Sequence, residues 1–292
     1  MKKNNIIDGK LLADKIKDNI VKEIVAINYG REKAAWQRPN LAIILVGDRD
    51  DSRLYVDIKE REAKKVGIDT HIYKCGADTP EEEIFDMVNY LNKDELIDAI
   101  LIQLPLPDGF DTDGLILAID PNKDVDRFHP DNLKILFSTC RHDQVMPPVL
   151  AVVLEILKSI KYDLTGKSVC VVANSDIFGR SLAKVLECQG AKIILAKAGD
   201  NDLKNKTVQA DILISAVGKK NLIIADMVKP GVVVIDIGIS KKGKKLAGDL
   251  DFENVKKVAS HITPVPGGVG PMTIAMLFKN TLELYKQRRK KQ

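Results

Sequence analysis

The chain has 292 residues, of which 45% are hydrophobic and 29% are charged, a composition typical of an ordinary soluble globular protein with about two domains. The net charge is +4, but the last six residues carry four positive charges, so the composition gives no reason to expect a nucleic-acid surface. The apolar runs are too short to cross a membrane, and the cysteines and histidines lack the spacing of a metal site, so we expect neither a membrane partner nor a structural metal.

The four cysteines are scattered along the chain, at Cys75, Cys140, Cys170 and Cys188. With no recognisable signal peptide, they are interpreted as reduced thiols of a cytoplasmic protein. The basic end, residues 287–292, is predicted to be a solvated, frayed helix end whose charges are favourable beside the helix dipole.

The first half of the chain alternates helices and strands. An opening amphipathic helix is predicted from apolar residues spaced every four positions, Leu12, Ile16, Ile20 and Ile24. Strands are predicted at residues 41–46, 70–74 and 99–103, with a helix that Gly67 ends between the first two. Before the third strand, Thr79-Pro-Glu-Glu82 predicts a helix start with a capping box and a proline at the first helical position. This order indicates a parallel sheet covered by helices.

The alternation restarts after Val145-Met-Pro-Pro148. A helix is predicted at 149–160, and a final helix runs from about Met272 past Tyr285. The strands predicted between them are at residues 169–172, 192–196, 212–216 and 232–236. We therefore predict two α/β domains, one of residues 1–144 with 273–292 and one of residues 145–272.

Several motifs fit either a ligand site or a plain structural role. The turn Ala173-Asn-Ser-Asp-Ile-Phe-Gly179 lies where a dinucleotide pyrophosphate would meet a helix N-terminus, but it keeps only the last glycine of the usual pattern, so a plain strand-to-helix turn stays open. Residues 262–273 hold three prolines and three glycines, which suits a tight connection or a ligand loop.

The remaining candidates are polar side chains near predicted strand ends. Tyr55 and Lys59 share one helix face, among charged neighbours typical of a solvated surface. Gln103 ends a strand, where it would point into a crevice or cap a loop. Lys123-Asp-Val-Asp126 offers two carboxylates, whose usual role is hydrogen bonding within a turn and whose alternative role is a metal pair.

Taken together, these segments resemble the bifunctional methylenetetrahydrofolate dehydrogenase/methenyltetrahydrofolate cyclohydrolase family, in its order and spacing over almost the full length. The matching segments are Ser52-x-x-Tyr-Val-x-x-Lys59, Gln103-Leu-Pro-Leu-Pro107, Lys123-Asp-Val-Asp126, Val234-Ile-Asp-Ile-Gly-Ile239, Gly248-Asp-Leu-Asp251 and residues 262–273. The resemblance implies an N-terminal parallel-sheet catalytic domain, a C-terminal Rossmann-like dinucleotide-binding domain, a folate cleft between them, and a last helix that returns to the first domain. It also implies a homodimer joined through the dinucleotide-binding domain.

In this family a hydride passes from 5,10-methylenetetrahydrofolate to a nicotinamide, and water then opens the methenyl product to 10-formyltetrahydrofolate. The resemblance implies that Lys59 acts in water attack and proton transfer, that Gln103 positions it, and that Asp126 anchors the pterin. Tyr55 would stack on the aminobenzoyl ring of the folate. The other implied substrate-binding residues are Ser52, Pro264, Gly267 and Gly268. The implied cofactor is NADP, with NAD as the alternative, and the residues implied to bind it are Ala173, Asn174, Ser175, Ile177, Gly179, Lys197 and Ile239.

The sequence departs from the family at the cofactor turn. Ala173-Asn-Ser175 replaces the usual Gly-Arg-Ser, and Ala196-Lys-Ala-Gly-Asp200 lacks the serine that contacts a 2′-phosphate in NADP-dependent relatives. Lys197 could meet a phosphate as a point charge, whereas Asp200 would oppose one. Preference for NADP, preference for NAD, and weakened binding therefore all stay open.

Two further departures lie elsewhere. Arg127 replaces the glycine that follows Asp126, where it would either pair with a glutamate tail or point to solvent. Met146-Pro-Pro148 stands where the family has Cys-Thr-Pro.

We therefore expect a cytoplasmic bifunctional folate enzyme of one-carbon metabolism that binds a small tetrahydrofolate substrate. Within the family, the alternative is a cyclohydrolase with weakened or lost dehydrogenase activity. Outside it, the alternatives are a different two-domain NAD(P) oxidoreductase, of the shikimate or amino-acid type, and a nucleotide-binding scaffold without activity.

Overall fold

A computed structural model describes residues 5–32, 35–140, 145–242 and 245–290. The chain divides into two compact units. The three-stranded unit comprises Asp14–Ile135, Asp143–Pro148 and Ile274–Gln292, and the five-stranded unit comprises Met1–Ala13, Leu136–His142 and Val149–Thr273. Each unit contains a parallel sheet, so the predicted α/β class is confirmed. The functional domain boundary at residue 145 stays a prediction.

The sheet of the three-stranded unit has the strand order β2–β1–β3, and both neighbouring pairs are parallel. Its strands are β1 (Asn40–Val46), β2 (Asp69–Cys75) and β3 (Ala99–Ile102). The helices that connect or follow them are α2 (Asp50–Val66), α3 (Glu81–Lys93), α4 (Thr112–Ala118) and α5 (Pro130–Ser138). β1 and β3 are buried almost throughout, as expected of parallel strands covered on both faces. Their carboxyl ends lie at the same edge of the sheet, where open α/β sheets hold ligands.

The sheet of the five-stranded unit has the strand order β10–β7–β6–β4–β5, and its described pairs are parallel. Its strands are β4 (Ser168–Ala173), β5 (Lys192–Ala196), β6 (Ile212–Ala216), β7 (Val233–Asp236) and β10 (His261–Ile262). Its helices are α6 (Pro148–Ser159), α7 (Asp176–Glu187), α8 (Leu203–Thr207) and α9 (Phe252–Val258), and a hairpin pairs β8 (Ser240–Lys242) with β9 (Lys245–Ala247). From β4 the chain runs outward to β5 and then returns to β6 on the other side. This reversal is the switch point at which doubly wound sheets bind ligands.

Two long helices complete the fold, α1 (Gly9–Ile27) and α10 (Val269–Arg289). The last helix begins slightly earlier than predicted, and its residues from Ile274 onward belong to the three-stranded unit. Asn280 donates its side-chain amide to the carbonyl oxygens of Val125 and Met146, each at 2.9 Å, so α10 holds the backbone just before Asp126.

The start of α3 differs from the prediction. Pro80 is the N-cap residue, with no capping hydrogen bond from a side chain, and the helix begins at Glu81. Thr79 lies in the preceding turn, where its N–H donates to the carbonyl of Gly76 at 3.3 Å. The predicted capping box is therefore wrong, and the acidic first turn, Glu81 to Glu83, complements the helix dipole instead.

The prediction of four reduced cysteines is wrong for one pair. Cys140 is disulfide-bonded to Cys188, with their Cα atoms 5.3 Å apart, whereas Cys75 and Cys170 are free. The two bonded cysteines are 48 residues apart in sequence, and the fold brings the end of α7 to the segment after α5. Spacing along the chain carries no sign of such a pairing.

The basic end of the chain is also less solvated than predicted. The Arg288 guanidinium lies 2.6 Å from Oδ1 of Asp98, whose side chain is fully buried. Burial raises the pKa of Asp98, whereas the backbone N–H of Asn40 and the charges of Arg288 and Arg289 lower it. Arg288 thus anchors the end of α10 within the three-stranded unit. Residues 291 and 292 lie outside the described part of the chain.

Over the part of the chain that the structure describes, no helix has the length and apolar character needed to span a lipid bilayer.

Candidate active site

Lys59 and Gln103 meet at the carboxyl edge of the three-stranded sheet. The Nζ of Lys59, on α2, donates to Oε1 of Gln103, directly after β3, at 2.6 Å. The amide Nε2 of Gln103 donates to the carbonyl of Leu104 at 2.7 Å, and its backbone N–H donates to Ile44 at 2.9 Å. Because its donor end is occupied, the buried glutamine presents its oxygen to the lysine. Two of the predicted catalytic residues are therefore in direct contact.

The surroundings of Lys59 lower the pKa of its amine. Burial lowers the pKa of Lys59, and the negative charge of Asp126 opposes this effect. A desolvated ammonium releases its proton more readily than an exposed one, which suits a group that exchanges protons with a substrate.

Asp126 is the third predicted catalytic residue, and it interacts electrostatically with Lys59. Burial raises the pKa of Asp126 to about 6, the charge of Lys59 lowers it, and the neighbouring Asp124 raises it. The charge of each group therefore favours the charged form of the other.

The loop that carries Asp126 is held by Asp124. The Asp124 carboxylate accepts hydrogen bonds from the backbone N–H groups of Arg127 and His129, each at 2.9 Å, and from the amide of Asn132 at 3.1 Å. Asp124 therefore acts as the hydrogen-bonding centre of a turn, one of the two roles that the sequence left open.

Lys123 has a structural role in the same motif. Its buried Nζ donates to the carbonyls of Leu91 and Asp94, at 2.8 and 2.7 Å. Among the described residues no group of three or more His, Cys, Asp or Glu side chains could hold a metal ion, and His142 lies outside them.

Arg127 does not point to solvent. Its guanidinium Nη1 donates to the carbonyl of Pro121 at 2.6 Å, and burial lowers its pKa. Its φ angle is 60°, in the left-handed region that favours glycine, which accounts for the glycine usual at this position. The arginine side chain thus packs against the loop that carries Asp126.

Ser52 and Tyr55 lie on the same face of α2 as Lys59. Tyr55 is half-buried. Ser52 is buried, and its hydroxyl has no hydrogen-bond partner among the residues that the structure describes. In chain order, this face therefore carries the Ser52 hydroxyl, the Tyr55 ring and the Lys59 amine.

The proline- and glycine-rich loop lies in the five-stranded unit, before α10. The N–H of Gly268 donates to the carbonyl of Pro264 at 2.9 Å, and Gly267 has a φ of 102°. A Cβ on Gly268 would lie 2.5 Å from that carbonyl oxygen, and one on Gly9 would lie 1.8 Å from the carbonyl oxygen of Gly268. Only glycine fits these positions, so the three predicted residues form one tight turn against the start of α1.

The turn after β4 has the features of a dinucleotide site. β4 ends at Ala173, and Ser175 caps α7 by accepting a hydrogen bond from the N–H of Phe178 at 3.3 Å. Ile177, in the first turn, is 58% exposed. A Cβ on Gly179 would lie 3.8 Å from the Cβ of Ala173, an ordinary contact, so the fold alone does not demand that glycine. A capped helix N-terminus at a switch point fits a pyrophosphate.

Lys197 is close to this turn but is already paired. Its Nζ lies 2.9 Å from a carboxylate oxygen of Asp176, the first residue of α7. Its backbone N–H donates to Asp200 at 3.0 Å, and Asn174 accepts a hydrogen bond from the N–H of Ala198 at 3.2 Å. Asn174 and Lys197 therefore lie close together, at the carboxyl ends of β4 and β5. Sequence reasoning missed Asp176, although an acidic residue at the start of α7 was visible.

Ile239 lies apart from this group, after β7. It is 45% exposed, and a Cβ on Gly218 would lie 3.2 Å from its carbonyl oxygen. It therefore belongs with the ends of β6 and β7.

Comparison with known proteins places the whole chain in one family. Residues 7–126 match the tetrahydrofolate dehydrogenase/cyclohydrolase catalytic domain, and residues 147–289 match the NAD(P)-binding domain of the same family. A relative from a Nitratiruptor species, named bifunctional protein FolD, is 45% identical over 285 residues, covering 98% of this chain and 99% of its own.

Solved structures agree with this assignment. The bifunctional FolD enzyme of Campylobacter jejuni has a TM-score of 0.90 and 40% identity, over 96% of this chain and 98% of its own. The Trypanosoma brucei methylenetetrahydrofolate dehydrogenase-cyclohydrolase, solved with NADP and an inhibitor, has a TM-score of 0.92 and 32% identity, over 98% and 99% of the two chains. With both domain models matched in order and a curated relative of almost equal length, this chain belongs to the tetrahydrofolate dehydrogenase/cyclohydrolase family.

Proposed function

We propose that this protein oxidises 5,10-methylenetetrahydrofolate to 5,10-methenyltetrahydrofolate with NADP or NAD and then hydrolyses that product to 10-formyltetrahydrofolate. Membership of the family supports the reaction pair. The observation that carries the assignment of residues is the contact between Lys59 and Gln103, with Asp126 close enough to shift the pKa of the lysine.

In the hydrolysis, Lys59 moves protons. The neutral amine takes a proton from water as its oxygen bonds to the methenyl carbon. The bond from that carbon to N5 of the folate then breaks, and N5 receives a proton from the added hydroxyl through the lysine. One water is consumed and one proton is released overall. Gln103 holds the amine in place by accepting one of its hydrogen bonds, and this orientation reduces the entropy lost in the transition state.

Asp126 anchors the substrate rather than exchanging protons with the methenyl carbon. As a carboxylate it accepts hydrogen bonds from the amino-pyrimidine edge of the pterin. Tyr55 offers a ring for stacking, and the unpaired hydroxyl of Ser52 is available to a polar group of the substrate.

In the oxidation, a bound nicotinamide would supply the acceptor for the hydride of the methylene carbon. The residues suited to hold the dinucleotide are those at the capped N-terminus of α7, with Ser175 as the cap. The backbone N–H groups of the first turn of α7 would hold the pyrophosphate, and the helix dipole would favour its negative charge.

We propose NADP as the cofactor that Lys197 selects. Lys197 is the lysine beside the turn after β5, where the ribose of the adenosine lies in doubly wound sheets. Its ion pair with Asp176 is half-exposed, so the lysine can exchange the carboxylate for a 2′-phosphate at little cost. The same pair weakens the preference for NADP, because Asp176 repels the phosphate.

The substitution Asp176→Asn should therefore strengthen the binding of NADP. The KM for NADP should fall about two- to fivefold, the range that an exposed ion pair contributes, while the KM for NAD changes little. Steady-state kinetics with both cofactors give the ratio. Asp202→Asn, which removes a charge paired with Lys206 on the same unit, is the matched control and should leave the ratio unchanged. An unaltered KM for NADP in Asp176→Asn rules out this role of the pair.

We further propose a homodimer joined through the five-stranded unit. β5 ends the strand order of its sheet and carries four consecutive apolar residues, 193–196, of which Leu195 is 46% exposed. An exposed apolar edge strand favours association with another chain. Sedimentation velocity should show a dimer at micromolar concentration, and Leu195→Lys should shift it toward monomer. A wild-type protein that sediments as a monomer contradicts the proposal.

The reaction pair is tested by following methylenetetrahydrofolate with NADP and, separately, with NAD, while preformed methenyltetrahydrofolate reports hydrolysis alone. We expect nicotinamide reduction and hydrolysis in the wild type. Lys59→Ala should lower hydrolysis at least about a hundredfold, because general acid–base catalysis contributes that much. Lys64→Ala, an exposed lysine on the same helix, is the control and should keep full activity.

The outcomes separate the alternatives. Hydrolysis without nicotinamide reduction would assign the chain to the cyclohydrolase alternative. Full hydrolysis by Lys59→Ala would refute the role of the lysine, and absence of both reactions in the wild type would refute the proposed function.

A further inference from the structure

Two aspartates of the five-stranded unit are buried at the carboxyl end of its sheet and have no role in the chemistry above. Asp236, the last residue of β7, is 3% exposed, and Asp249 is 0% exposed. Both lie in segments that match the family, but their residue type and spacing did not reveal a function.

Asp249 holds the backbone that follows β6. Its carboxylate accepts hydrogen bonds from the hydroxyl of Ser215 at 2.6 Å and from the N–H groups of Val217 and Lys219 at 2.8 and 2.7 Å. The two N–H groups flank Gly218, whose φ is 77°. The carboxylate thus holds the left-handed turn at Gly218 through the residue before it and the residue after it.

Asp236 holds the backbone that follows β7. It accepts hydrogen bonds from the N–H groups of Gly238 and Asp249, each at 3.1 Å, and of Leu250 at 3.2 Å. Its own N–H donates to the hydroxyl of Thr263 at 2.7 Å. Burial, with a smaller contribution from the charge of the adjacent Asp249, raises the pKa of Asp236 to about 7, although the three N–H donors lower it.

Two glycines permit this arrangement. A Cβ on Gly238 would lie 2.2 Å from the carboxylate of Asp249, and one on Gly248 would lie 2.0 Å from Oδ2 of Asp236. Both distances are far below van der Waals contact, so a side chain at either position would displace a carboxylate. Because glycine has no Cβ, the backbone at Gly238 and Gly248 can lie directly against the two carboxylates.

The loops that follow β6 and β7 lie on the other side of β4 from β5. A dinucleotide in a doubly wound sheet places its pyrophosphate at the first strand, here β4, and its two nucleosides on either side of it. By this rule the adenosine would lie toward β5, and the nicotinamide would lie over the ends of β6 and β7, which are followed by Gly218 and Ile239.

We infer that Asp249, supported by Asp236, is a positioning residue for the nicotinamide half of the cofactor. It shapes the backbone around Gly218 and Gly238 that receives the ring and does not touch the reacting atoms. This inference rests on the proposed dehydrogenase activity. A carboxylate with three hydrogen bonds in a buried site is rigid, which gives the ring a preformed surface.

The test uses Asp249→Asn in the full-length protein. An amide keeps the shape but turns one acceptor into a donor that faces a backbone N–H, so the turn at Gly218 must shift. The KM for NADP and for NAD should each rise at least about tenfold, the loss expected for hydrogen bonds to a charged group. Hydrolysis of preformed methenyltetrahydrofolate, which needs no nicotinamide, should stay within about twofold of wild type.

Asp211→Asn is the matched control. Asp211 also accepts a backbone hydrogen bond, from Ser168 at 2.8 Å, and pairs with Lys229, but it precedes β6 at the opposite end of the sheet. It should lower thermal stability without altering the KM for either cofactor. The comparison separates a positioning role from general destabilisation.

Ser215→Ala removes one hydrogen bond to Asp249 and carries the test if Asp249→Asn does not fold. It should raise the cofactor KM about threefold with hydrolysis unchanged. An unchanged cofactor KM in a folded Asp249→Asn or Ser215→Ala protein, or an equal loss of both activities, overturns the inference. A wild-type protein that reduces neither cofactor instead refutes the proposed dehydrogenase activity on which the inference rests.

Discussion

The hydrogen bond from Lys59 to Gln103 is the contact on which the catalytic part of the structure depends. It requires a helix that carries the lysine and a strand that is followed directly by the glutamine, and the parallel sheet brings both to one edge. The glutamine is neutral, so it orients the amine without stabilising its charge as a carboxylate would. Burial can then lower the pKa of Lys59, and only Asp126 among the named causes opposes it.

Buried aspartates shape the loops at the ends of strands in both units. Asp124 collects three hydrogen bonds around the loop that carries Asp126, and Asp249 collects three around the turn at Gly218. A carboxylate suits this role because it accepts several hydrogen bonds and orphaned backbone N–H groups are costly when buried. In each unit the aspartate that holds the loop backbone differs from the residues proposed to bind substrate or cofactor. Separate side chains therefore hold the loop in shape and bind the ligand.

The sequence predicted the fold class and the main strands because parallel strands are continuous apolar runs that end in glycine or polar residues, as at residues 41–46. Short helices such as α4 and α9 were not predicted, since seven residues carry too little periodicity. The disulfide from Cys140 to Cys188 depends on tertiary proximity, which spacing does not encode.

The candidate site was predicted mainly through resemblance to a family. Taken alone, Lys59 sits among charged neighbours and looks like a surface lysine, because helical periodicity says nothing about which face meets a strand end. The pairing of Lys197 with Asp176 and the network around Asp249 join residues from different strands and loops. Their roles follow from distances and burial, and these require the folded chain.

The most direct test of the account is the pH dependence of methenyltetrahydrofolate hydrolysis in the wild type and in Asp126→Asn. Because burial raises the pKa of Asp126 to about 6, its carboxylate is lost as the pH falls through that value, and the wild-type KM should rise there. Because burial lowers the pKa of Lys59 and Asp126 opposes it, kcat should increase with pH as the amine loses its proton, and Asp126→Asn should move that increase to lower pH. A kcat profile that Asp126→Asn leaves in place, together with a KM that does not change near pH 6, would contradict the coupling of Lys59 and Asp126.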